Sequence, residues 1–565
     1  MDGTSVVAYI ILAIVILIVI QIVSRKIKIK NLKKEIADSW GREPKEKYDR
    51  NAFPSVASYY NNLKENRKSR AYIDDLTWND LDMDEVFKKL NCTWSSIGEE
   101  YLYAALRQPL TNLNTLSERG KLIEFFQSSR DKREKLLFCF AMLGKRRSLD
   151  ITNLFFNESF KNSINLAFYR ILSLLAIASA ATAFIYPDLG LPALVIIFCV
   201  NAMLYYKGKS QIGHILDSVA YISDMVLCTG NILKLNIDEL GDLNHKISQS
   251  YKQVRDITKK SARFLNYTSD IILEYVKVIL LKEIIDFYSI CNIIKRNREH
   301  LINIYESLGL IESMLAVASY RASLNMYCTP DFTFGKNILS AEDVCHPLLK
   351  NPVPNSISTE RAVLLTGSNA SGKSTFLKTL AINAIFAQTI YTCLAKSFTS
   401  NCYRIFTSMA LKDSIVNNES YFIAEIKSLK RILDALNDKV PCLVFIDEVL
   451  RGTNTVERIA ASSEVLFHLA GENCLCFAAT HDIELSSILG GKFVNYHFRE
   501  EVRDNEVYFD YRLYSGKATT RNAIRLLKLM GYSDNIVERA ESRAASFDRT
   551  GKWEKRQEVQ PQIKA

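Results

Sequence analysis

The chain has 565 residues, of which 48% are hydrophobic and 24% are charged, and its formal net charge is +10. This composition excludes a disordered chain, and its 11 prolines and 21 glycines exclude collagen-like and low-complexity classes. The length predicts roughly three domains, and the basic excess is compatible with binding to nucleic acid or anionic lipid. The 12 cysteines include no C-x-x-C pair. They therefore indicate reduced thiols in a cytoplasmic body rather than a disulfide framework or a zinc site.

An apolar run of 18 residues, Val6–Val23, predicts that residues 1–24 form a transmembrane anchor. As a helix the run would extend ~27 Å, close to the ~30 Å hydrocarbon core of a bilayer. Six lysines and arginines follow it between residues 25 and 34 and none precedes it, so the positive-inside rule places the N-terminus outside the cell and the following chain in the cytoplasm. The alternative is a buried core helix.

The region after the anchor is charged and then helical. Residues 25–89 are predicted to form a charged juxtamembrane region, and residues 90–165 are predicted to form the first part of a helical lever domain. The second part is predicted over residues 208–335, because no proline occurs between Pro192 and Pro330 and charged and apolar residues are mixed at helical spacing.

Between the two lever parts, residues 166–207 are predicted to form a transmembrane helical hairpin. Its arms, Ile171–Tyr186 and Leu191–Tyr206, have 16 residues each and meet at a short tip. Basic residues stand at both outer ends of the hairpin, so both ends are expected on the cytoplasmic side, in agreement with the first span. A hairpin that lies in the membrane interface or is buried in protein is the alternative.

After Pro330 the pattern changes to short apolar runs that alternate with helical runs. The apolar runs are Ala362–Thr366, Cys442–Ile446 and Leu475–Ala479, with helices predicted from Lys373 and from about Arg458. This alternation predicts an α/β domain with a largely parallel sheet over residues 336–550. Residues 551–565 are polar and are predicted to form a disordered tail.

A phosphate-binding loop follows the first of these strands. It has the pattern G-x-x-x-x-G-K-[ST] between a strand and a helix, which is the context that the motif requires. The candidate nucleotide-binding residues are Gly367, Ser368, Asn369, Ala370, Ser371, Gly372, Lys373, Ser374 and Thr375. Glycines let such a loop bend around phosphate, while its N–H groups and the helix N-terminus supply positive potential. Lys373 would neutralise phosphate charge, and the Ser374 hydroxyl would ligate Mg²⁺.

Polar residues also follow the second and third strands. Asp447 and Glu448 end the second strand, where Asp447 would hold Mg²⁺ and Glu448 could act as the general base toward an attacking water. His481 follows the third strand and could hydrogen-bond the γ-phosphate or that water. Ligands of an open α/β sheet gather at the carboxyl ends of its strands, which favours a shared site. Solvated residues at strand ends are the alternative.

These segments together resemble the ATPase domain of the MutS mismatch-repair family. The resemblance rests on GSNASGKSTFLKT, on the block Ser420-Tyr421-Phe422 to Glu425, on FIDEVLRGTNTVE and on AATHD. No L-S-G-G-Q signature stands between the two nucleotide-binding motifs, which distinguishes the chain from transporter ATPases. The fold implied is an α/β P-loop NTPase domain, ABC-like and of MutS type, C-terminal to a long all-α lever domain that carries the predicted membrane segments.

The resemblance implies further roles and partners. Ser420 would reach across a homodimer to the nucleotide of the other subunit, Asn369 would lie near the γ-phosphate, and His481 would sense it. ATP and Mg²⁺ would be the cofactors, and mismatched or branched DNA is an implied partner. The family's mismatch-reading domain, with its Phe-x-Glu wedge, is expected to have no counterpart before residue 90.

The function predicted from the sequence is a membrane-anchored ATPase of MutS type. It would sit in the cell membrane as a multi-pass protein, hydrolyse ATP as a dimer and move its lever domain, on DNA or on a membrane partner. Two alternatives remain open: a membrane transport ATPase with a reduced permease, and a tether that binds nucleotide as a structural ligand without turnover.

Overall fold

The computed structural model describes residues 3–44, 48, 53–66, 72–147, 149, 151–156, 166–258, 261, 271–368, 371–409, 421–471, 473–503, 506–517, 524, 527–528 and 530–553. Three predicted site residues, Asn369, Ala370 and Ser420, lie outside these ranges, as does most of the predicted tail. The chain divides into two compact units. A helical unit comprises residues 1–72, 84–325 and 389–391, and an α/β unit comprises residues 73–83, 326–388 and 392–565.

In chain order the helices are α1 (Gly3–Ser39), α2 (Phe53–Val56), α3 (Ser58–Asn66), α4 (Asp75–Asp80), α5 (Met83–Leu90), α6 (Ser96–Leu106), α7 (Leu113–Ser128), α8 (Arg130–Leu143), α9 (Ile151–Phe156), α10 (Leu166–Ile185), α11 (Pro187–Leu233), α12 (Gly241–Val254), α13 (Ile271–Leu280), α14 (Lys282–Arg296), α15 (Arg298–Ser323), α16 (Lys373–Thr389), α17 (Tyr421–Ala435), α18 (Thr455–Leu469), α19 (Ile483–Ile488) and α20 (Asp534–Thr550), with a 3₁₀ helix at Asp238–Leu240. The strands are β1 (Asp331–Phe332), β2 (Leu339–Val344), β3 (Asn355–Thr359), β4 (Ala362–Thr366), β5 (Ser397–Ser400), β6 (Arg404–Ser408), β7 (Cys442–Asp447), β8 (Cys474–Ala479), β9 (Phe493–Arg503) and β10 (Glu506–Ser515).

Helix α15 is the core of the helical unit. It is long and apolar enough to cross a membrane, but 78% of its apolar window is buried inside the protein. It packs against α6, α7 and α12, and Gly309 allows close approach, since a Cβ at that position would lie 2.6 Å from the Cβ of Tyr101. Burial on most of its sides therefore explains the apolar composition of this helix without a membrane.

Two carboxylates join α6 to α15, and one of them stabilises the start of α6. Glu312 of α15 accepts hydrogen bonds from the backbone N–H groups of Trp94 (2.6 Å) and Ser95 (2.8 Å), and it also bonds the Ser95 hydroxyl. Ser95 is the N-cap of α6, so the acid satisfies backbone donors next to the positive end of the helix dipole. Within α6, Glu100 accepts a 2.8 Å hydrogen bond from the Tyr305 hydroxyl.

Glu99 of α6 lies in a buried ion-pair cluster. It is 1% exposed and accepts two hydrogen bonds from the guanidinium of Arg147, at 2.6 and 2.8 Å, and one from Lys145 at 3.2 Å. Tyr48 and Asn91 also donate to it. Burial opposes ionisation of Glu99, but the hydrogen bond and charge of Arg147 hold its pKa below the ordinary value. The carboxylate is therefore a paired anion that joins α6 to the chain after α8.

Helices α10 and α11 form the hairpin that the sequence predicts, and they pack along each other. Leu166–Ile185 and Pro187–Lys209 are long and apolar enough to span a membrane, with only 11% and 17% of their apolar windows buried. A Cβ on Gly190 would lie 2.1 Å from the backbone of Ala183, so glycine permits the close turn. Helix α11 continues past the predicted hairpin end at residue 207 and ends at Leu233, so the apolar arm and the stretch that follows it form one helix.

Helix α1 joins the predicted anchor and the basic segment after it in one helix of 37 residues. The described apolar side chains between Leu12 and Val23 are all exposed. The predicted juxtamembrane region also contains α2 to α5, and Tyr59 and Tyr60 of α3 are buried. Residues 73–83 of that region belong to the α/β unit. The region predicted from its charged composition thus contains helices whose apolar residues are buried.

The α/β unit is built on a six-stranded sheet of order β10-β9-β4-β8-β7-β6. The strands from β9 to β6 are parallel, as the sequence predicts, and β10 is antiparallel to β9. Every residue of β4, β7 and β8 is buried, which explains their continuous apolar runs. Side chains of α17, α18 and α19 join these strands in one hydrophobic cluster. A second sheet has the order β1-β5-β2-β3.

Candidate nucleotide site

The phosphate-binding loop connects the buried end of β4 to the start of α16. Gly367 and Gly372 have φ angles of +141° and +108°, a region that favours glycine. A Cβ on Gly367 would lie 2.7 Å from the carbonyl oxygen of Phe498. Substitution of this glycine would therefore force the loop away from β9.

The Lys373 ammonium lies inside this loop. Its side chain is 3% exposed, and Nζ donates to the carbonyl oxygens of Gly367 (2.7 Å) and Ser368 (2.8 Å). Burial lowers the pKa of Lys373, while the nearby charges of Asp447 and Glu448 act in the opposite direction. Because its hydrogen bonds go to neutral carbonyls, its charge is available to an anionic ligand.

The other described loop residues divide into two groups. The Ser371 hydroxyl donates to the Ser368 carbonyl at 2.8 Å, and the Ser368 hydroxyl bonds the carboxylate of Glu500 on β9. These contacts hold the loop against the sheet. The side chains of Ser374 and Thr375 are exposed at the start of α16, where a ligand oxygen could reach them.

Asp447 ends β7, beside β8, which in turn pairs with β4. The residue is 6% exposed, and its Oδ1 atom is buried without a hydrogen-bond partner among the described residues. A buried carboxylate oxygen without a partner is costly, and a hard cation is a ligand that would satisfy it.

Asp447 and Ser374 both offer hard oxygen ligands, which fit Mg²⁺. Within the part of the chain that the structure describes, no group of three or more His, Cys, Asp or Glu side chains could hold a metal ion. Mg²⁺ commonly binds through one or two carboxylates together with substrate phosphates.

Glu448 adopts a left-handed backbone conformation, with φ at +55°, and its N–H donates to the Ala479 carbonyl at 2.9 Å. Its carboxylate forms an ion pair with Arg451 and lies 3.4 Å from Nδ1 of His481. Burial would raise the pKa of Glu448, yet the hydrogen bond from His481 and the charge of Arg451 hold it below its ordinary value. Glu448 is therefore an anion that can accept a proton.

His481 follows β8 and is held beside Glu448 by the turn that contains it. Thr480 donates its N–H to the Leu365 carbonyl of β4 at 2.9 Å, and Asp482 forms two hydrogen bonds with Arg458, at 2.7 and 2.9 Å. The hydrogen bond to Glu448 raises the pKa of His481, although burial opposes this. The structure thus brings His481, Glu448 and Lys373 to one edge of the sheet.

The sequence analysis assigned no role to two residues beside the site, Glu425 and Arg451. Glu425 of α17 is 6% exposed and accepts hydrogen bonds from the backbone N–H groups of Leu450 and Arg451, and Leu450 has a φ of +59°. Burial raises the pKa of Glu425. It holds the loop that follows Glu448. Glu448 also pairs with Arg451, but the two residues lie in an irregular loop, so no helical spacing indicates this ion pair.

Comparison with known protein families finds a match for the part of the chain that contains this site. Residues 363–548 match the family model described as MutS domain V. The region of residues 363–548 therefore belongs to the MutS domain V family.

Several MutS relatives align with the chain. It is 27% identical to the DNA mismatch repair protein MutS of Thermotoga petrophila over 331 residues, which are 55% of this chain and 39% of that protein. It is 30% identical to the MutS of Pseudothermotoga lettingae over 269 residues, or 46% of this chain and 33% of that protein. It is 30% identical to MutS protein homolog 4 of Homo sapiens over 253 residues, covering 41% and 26%. The chain thus spans about two-fifths or less of the length of these relatives.

Proposed function

We propose that this chain is a membrane-anchored MutS-type ATPase that hydrolyses Mg-ATP in a dimer and couples turnover to motion of its helical unit. The observation that carries the proposal is the convergence of a buried ammonium, an unpartnered carboxylate oxygen and a lowered-pKa glutamate at one sheet edge, from Lys373, Asp447 and Glu448 respectively. Buried charges arranged in this way favour a triphosphate and its cation over a structural role.

Each residue would contribute a defined step to hydrolysis. Lys373 would exchange the loop carbonyls for phosphate oxygens, and the loop N–H groups would hold the remaining charge. Asp447 and Ser374 would hold Mg²⁺, which when bound would supply positive charge for the phosphate oxygens. Glu448 would orient the attacking water and accept its proton, with His481 stabilising the carboxylate.

Assembly as a homodimer is part of the proposal. It is supported by family membership and by the sequence block that contains Ser420, which would complete the site of the other subunit. Apolar side chains are exposed on α17 and α18, among them Ile423, Ile426 and Val456, which is 80% exposed. A partner surface would remove these side chains from water.

The membrane location is also proposed rather than observed. It is supported by the exposed apolar faces of α10 and α11, and by the exposed apolar residues of α1. With the N-terminus outside, both basic ends of the hairpin and the α/β unit would lie in the cytoplasm of a multi-pass cell-membrane protein.

The target of the motion is proposed to be DNA, because the relatives are named for DNA mismatch repair. A non-DNA membrane partner is a second candidate, favoured by the exposed hairpin. Binding of the full chain to homoduplex, mismatched and branched DNA at several salt concentrations separates them, since phosphate contacts weaken with salt. Absence of binding to all three DNA forms would favour the membrane partner.

The ATPase proposal is tested with two variants of the full chain in detergent. Lys373→Ala should abolish nucleotide binding, measured with a fluorescent ATP analogue, while the exposed control Lys350→Ala should bind normally. Glu448→Ala should bind ATP but lower turnover by about 10²–10⁴-fold, and the exposed control Glu464→Ala should not. Normal turnover by Glu448→Ala would show that the base assignment is wrong.

The membrane proposal is tested separately by alkaline carbonate extraction of membranes from cells that express the full chain. A spanning protein should stay in the membrane pellet, and release into the supernatant would contradict the proposal.

A further inference from the structure

Residues 73–83 belong to the α/β unit, although the chain on both sides of them belongs to the helical unit. The segment contains α4, and we call it the strap. Its buried apolar side chains are Ile73, Trp78, Leu81 and Met83, each 1% exposed or less. The strap is therefore fixed by apolar packing and is not a loose connection.

One carboxylate of the strap holds the end of β6, which is an edge strand of the six-stranded sheet. Asp80 Oδ2 accepts a 2.7 Å hydrogen bond from the Thr407 hydroxyl and a 3.0 Å hydrogen bond from the Met409 N–H. Thr77 Oγ1 accepts the Thr407 N–H at 3.2 Å. The strap thus satisfies backbone donors that an edge strand would leave open.

Two further carboxylates of the strap contact two helices of the site. Asp74 accepts a 2.6 Å hydrogen bond from Arg431 of α17, and Arg431 also donates to the Thr407 carbonyl. Asp82 lies 2.6 Å from the ammonium of Lys378, five residues after Lys373 in α16. The Asp82 pair is exposed and adds little stability by itself, whereas Asp80 satisfies two donors at the end of β6.

We propose that the strap positions the end of β6 and helix α17 for nucleotide turnover, and that Asp80 is a positioning residue for this reaction. The inference rests on the proposed ATPase function. β6 and α17 flank residues 410–420 in the sequence, the stretch that includes Ser420, and the strap bonds both flanks. Among the residues that the structure describes, Asp80 bonds Thr407 and Met409 rather than Lys373 or Glu448, so its effect would pass through Thr407 and Met409.

The expected effect follows from the donors that Asp80 satisfies. Asp80→Ala leaves the Met409 N–H and the buried Thr407 hydroxyl without their acceptor, and the end of β6 must shift to find another. Loss of such a bond is expected to lower kcat about tenfold. The KM for ATP should stay within about twofold, because Lys373 and its loop are untouched. Asp80→Asn keeps an oxygen that can accept both bonds and should restore most of kcat.

The test measures kcat, KM and thermal stability of the full chain in detergent for wild type, Asp80→Ala, Asp80→Asn and the control Asn79→Ala. The Asn79 side chain is exposed on the same helix. A kcat loss in Asp80→Ala alone, with recovery in Asp80→Asn, supports the strap. Wild-type kcat in Asp80→Ala, or an equal loss in Asp80→Asn, overturns it while leaving the ATPase proposal intact. Absence of turnover in the wild type overturns the ATPase proposal and the strap with it.

A second variant keeps the test valid if Asp80→Ala does not fold. Thr407→Val removes only the hydroxyl donor to Asp80 and preserves the shape of a residue that is 0% exposed. It should lower kcat about threefold with unchanged KM. An unchanged kcat in Thr407→Val would then overturn the proposal.

Discussion

The helical unit and the α/β unit both bury carboxylates, but Asp447 of the α/β unit is not satisfied in the way that three buried acids of the helical unit are. Glu99, Glu100 and Glu312 of the helical unit accept hydrogen bonds from partners within the protein. Asp447 of the α/β unit is buried to a similar degree and leaves Oδ1 without a partner among the described residues. Since an unpaired buried oxygen is costly, the three paired acids are expected to stabilise the fold, and the open Oδ1 of Asp447 indicates a ligand that the protein is built to receive.

The largest effect that this comparison predicts is the loss of a paired acid. Glu99→Ala leaves the guanidinium of Arg147 and the ammonium of Lys145 without their buried partner. The free energy of unfolding should fall by about 3–5 kcal/mol, measured by urea denaturation of the full chain in detergent. The exposed control Glu118→Ala should change it little. If the Glu99→Ala protein were as stable as wild type, the ion pairs of Glu99 would not stabilise the fold.

The unpaired acid should behave in the opposite way. Asp447→Asn keeps the shape of the side chain but removes the charge that would hold Mg²⁺. Turnover should fall by about 10²–10³-fold, while the melting temperature should stay the same or rise, because Oδ1 has no hydrogen bond to lose among the described residues. Turnover measured against Mg²⁺ concentration and a melting curve test both parts. Normal turnover, or a fall in melting temperature like that of Glu99→Ala, would contradict the distinction.

A smaller effect concerns Glu312, a paired acid whose burial raises its pKa to about 7, against hydrogen bonds from Ser95 and Trp94. A raised pKa contributes stability at low pH that is lost as the pH rises through about 7. The effect should be on the order of a few kcal/mol. Glu312→Gln mimics the protonated acid, so its melting temperature should lack this fall. If the melting temperatures of wild type and Glu312→Gln changed in parallel as the pH rose through about 7, the prediction would be contradicted.

The smallest predicted effect is a shift in the pH dependence of turnover. His481→Ala removes the hydrogen bond that lowers the pKa of Glu448, and burial, which raises it, is then less opposed. The acid limb of the pH–kcat profile should therefore move to higher pH. A profile that differs from wild type only in height, with its acid limb unmoved, would show that His481 does not set the pKa of Glu448.

Much of the α/β unit could be predicted from local sequence patterns. β4, β7 and β8 are short apolar runs because both faces of each strand are buried, and the described part of the loop between β4 and α16 contains two glycines with positive φ angles. The hairpin was predictable for a similar reason, since its apolar surface is continuous. The site residues Lys373, Asp447, Glu448 and His481 all follow strand ends, which placed them at one edge of the sheet.

The contacts of the strap and of the buried acids could not be predicted in this way. Asp80 and Thr407 are 327 residues apart in the sequence, and Trp94 and Glu312 are 218 apart. No periodicity links positions so distant. Residues 73–83 contain four acidic residues and read as part of a charged linker, whereas three of these acids are bonded to β6, α16 and α17.

The sequence by itself determined the three buried strands β4, β7 and β8, the phosphate-binding loop and the candidate membrane helices, because each depends on residues that are neighbours in the chain. Only the tertiary structure decided which buried charges are paired, which carboxylate oxygen is left open and which segment covers the edge of the sheet. These outcomes depend on distances between side chains that are remote in sequence. The burial of each contact determines how much it contributes to stability.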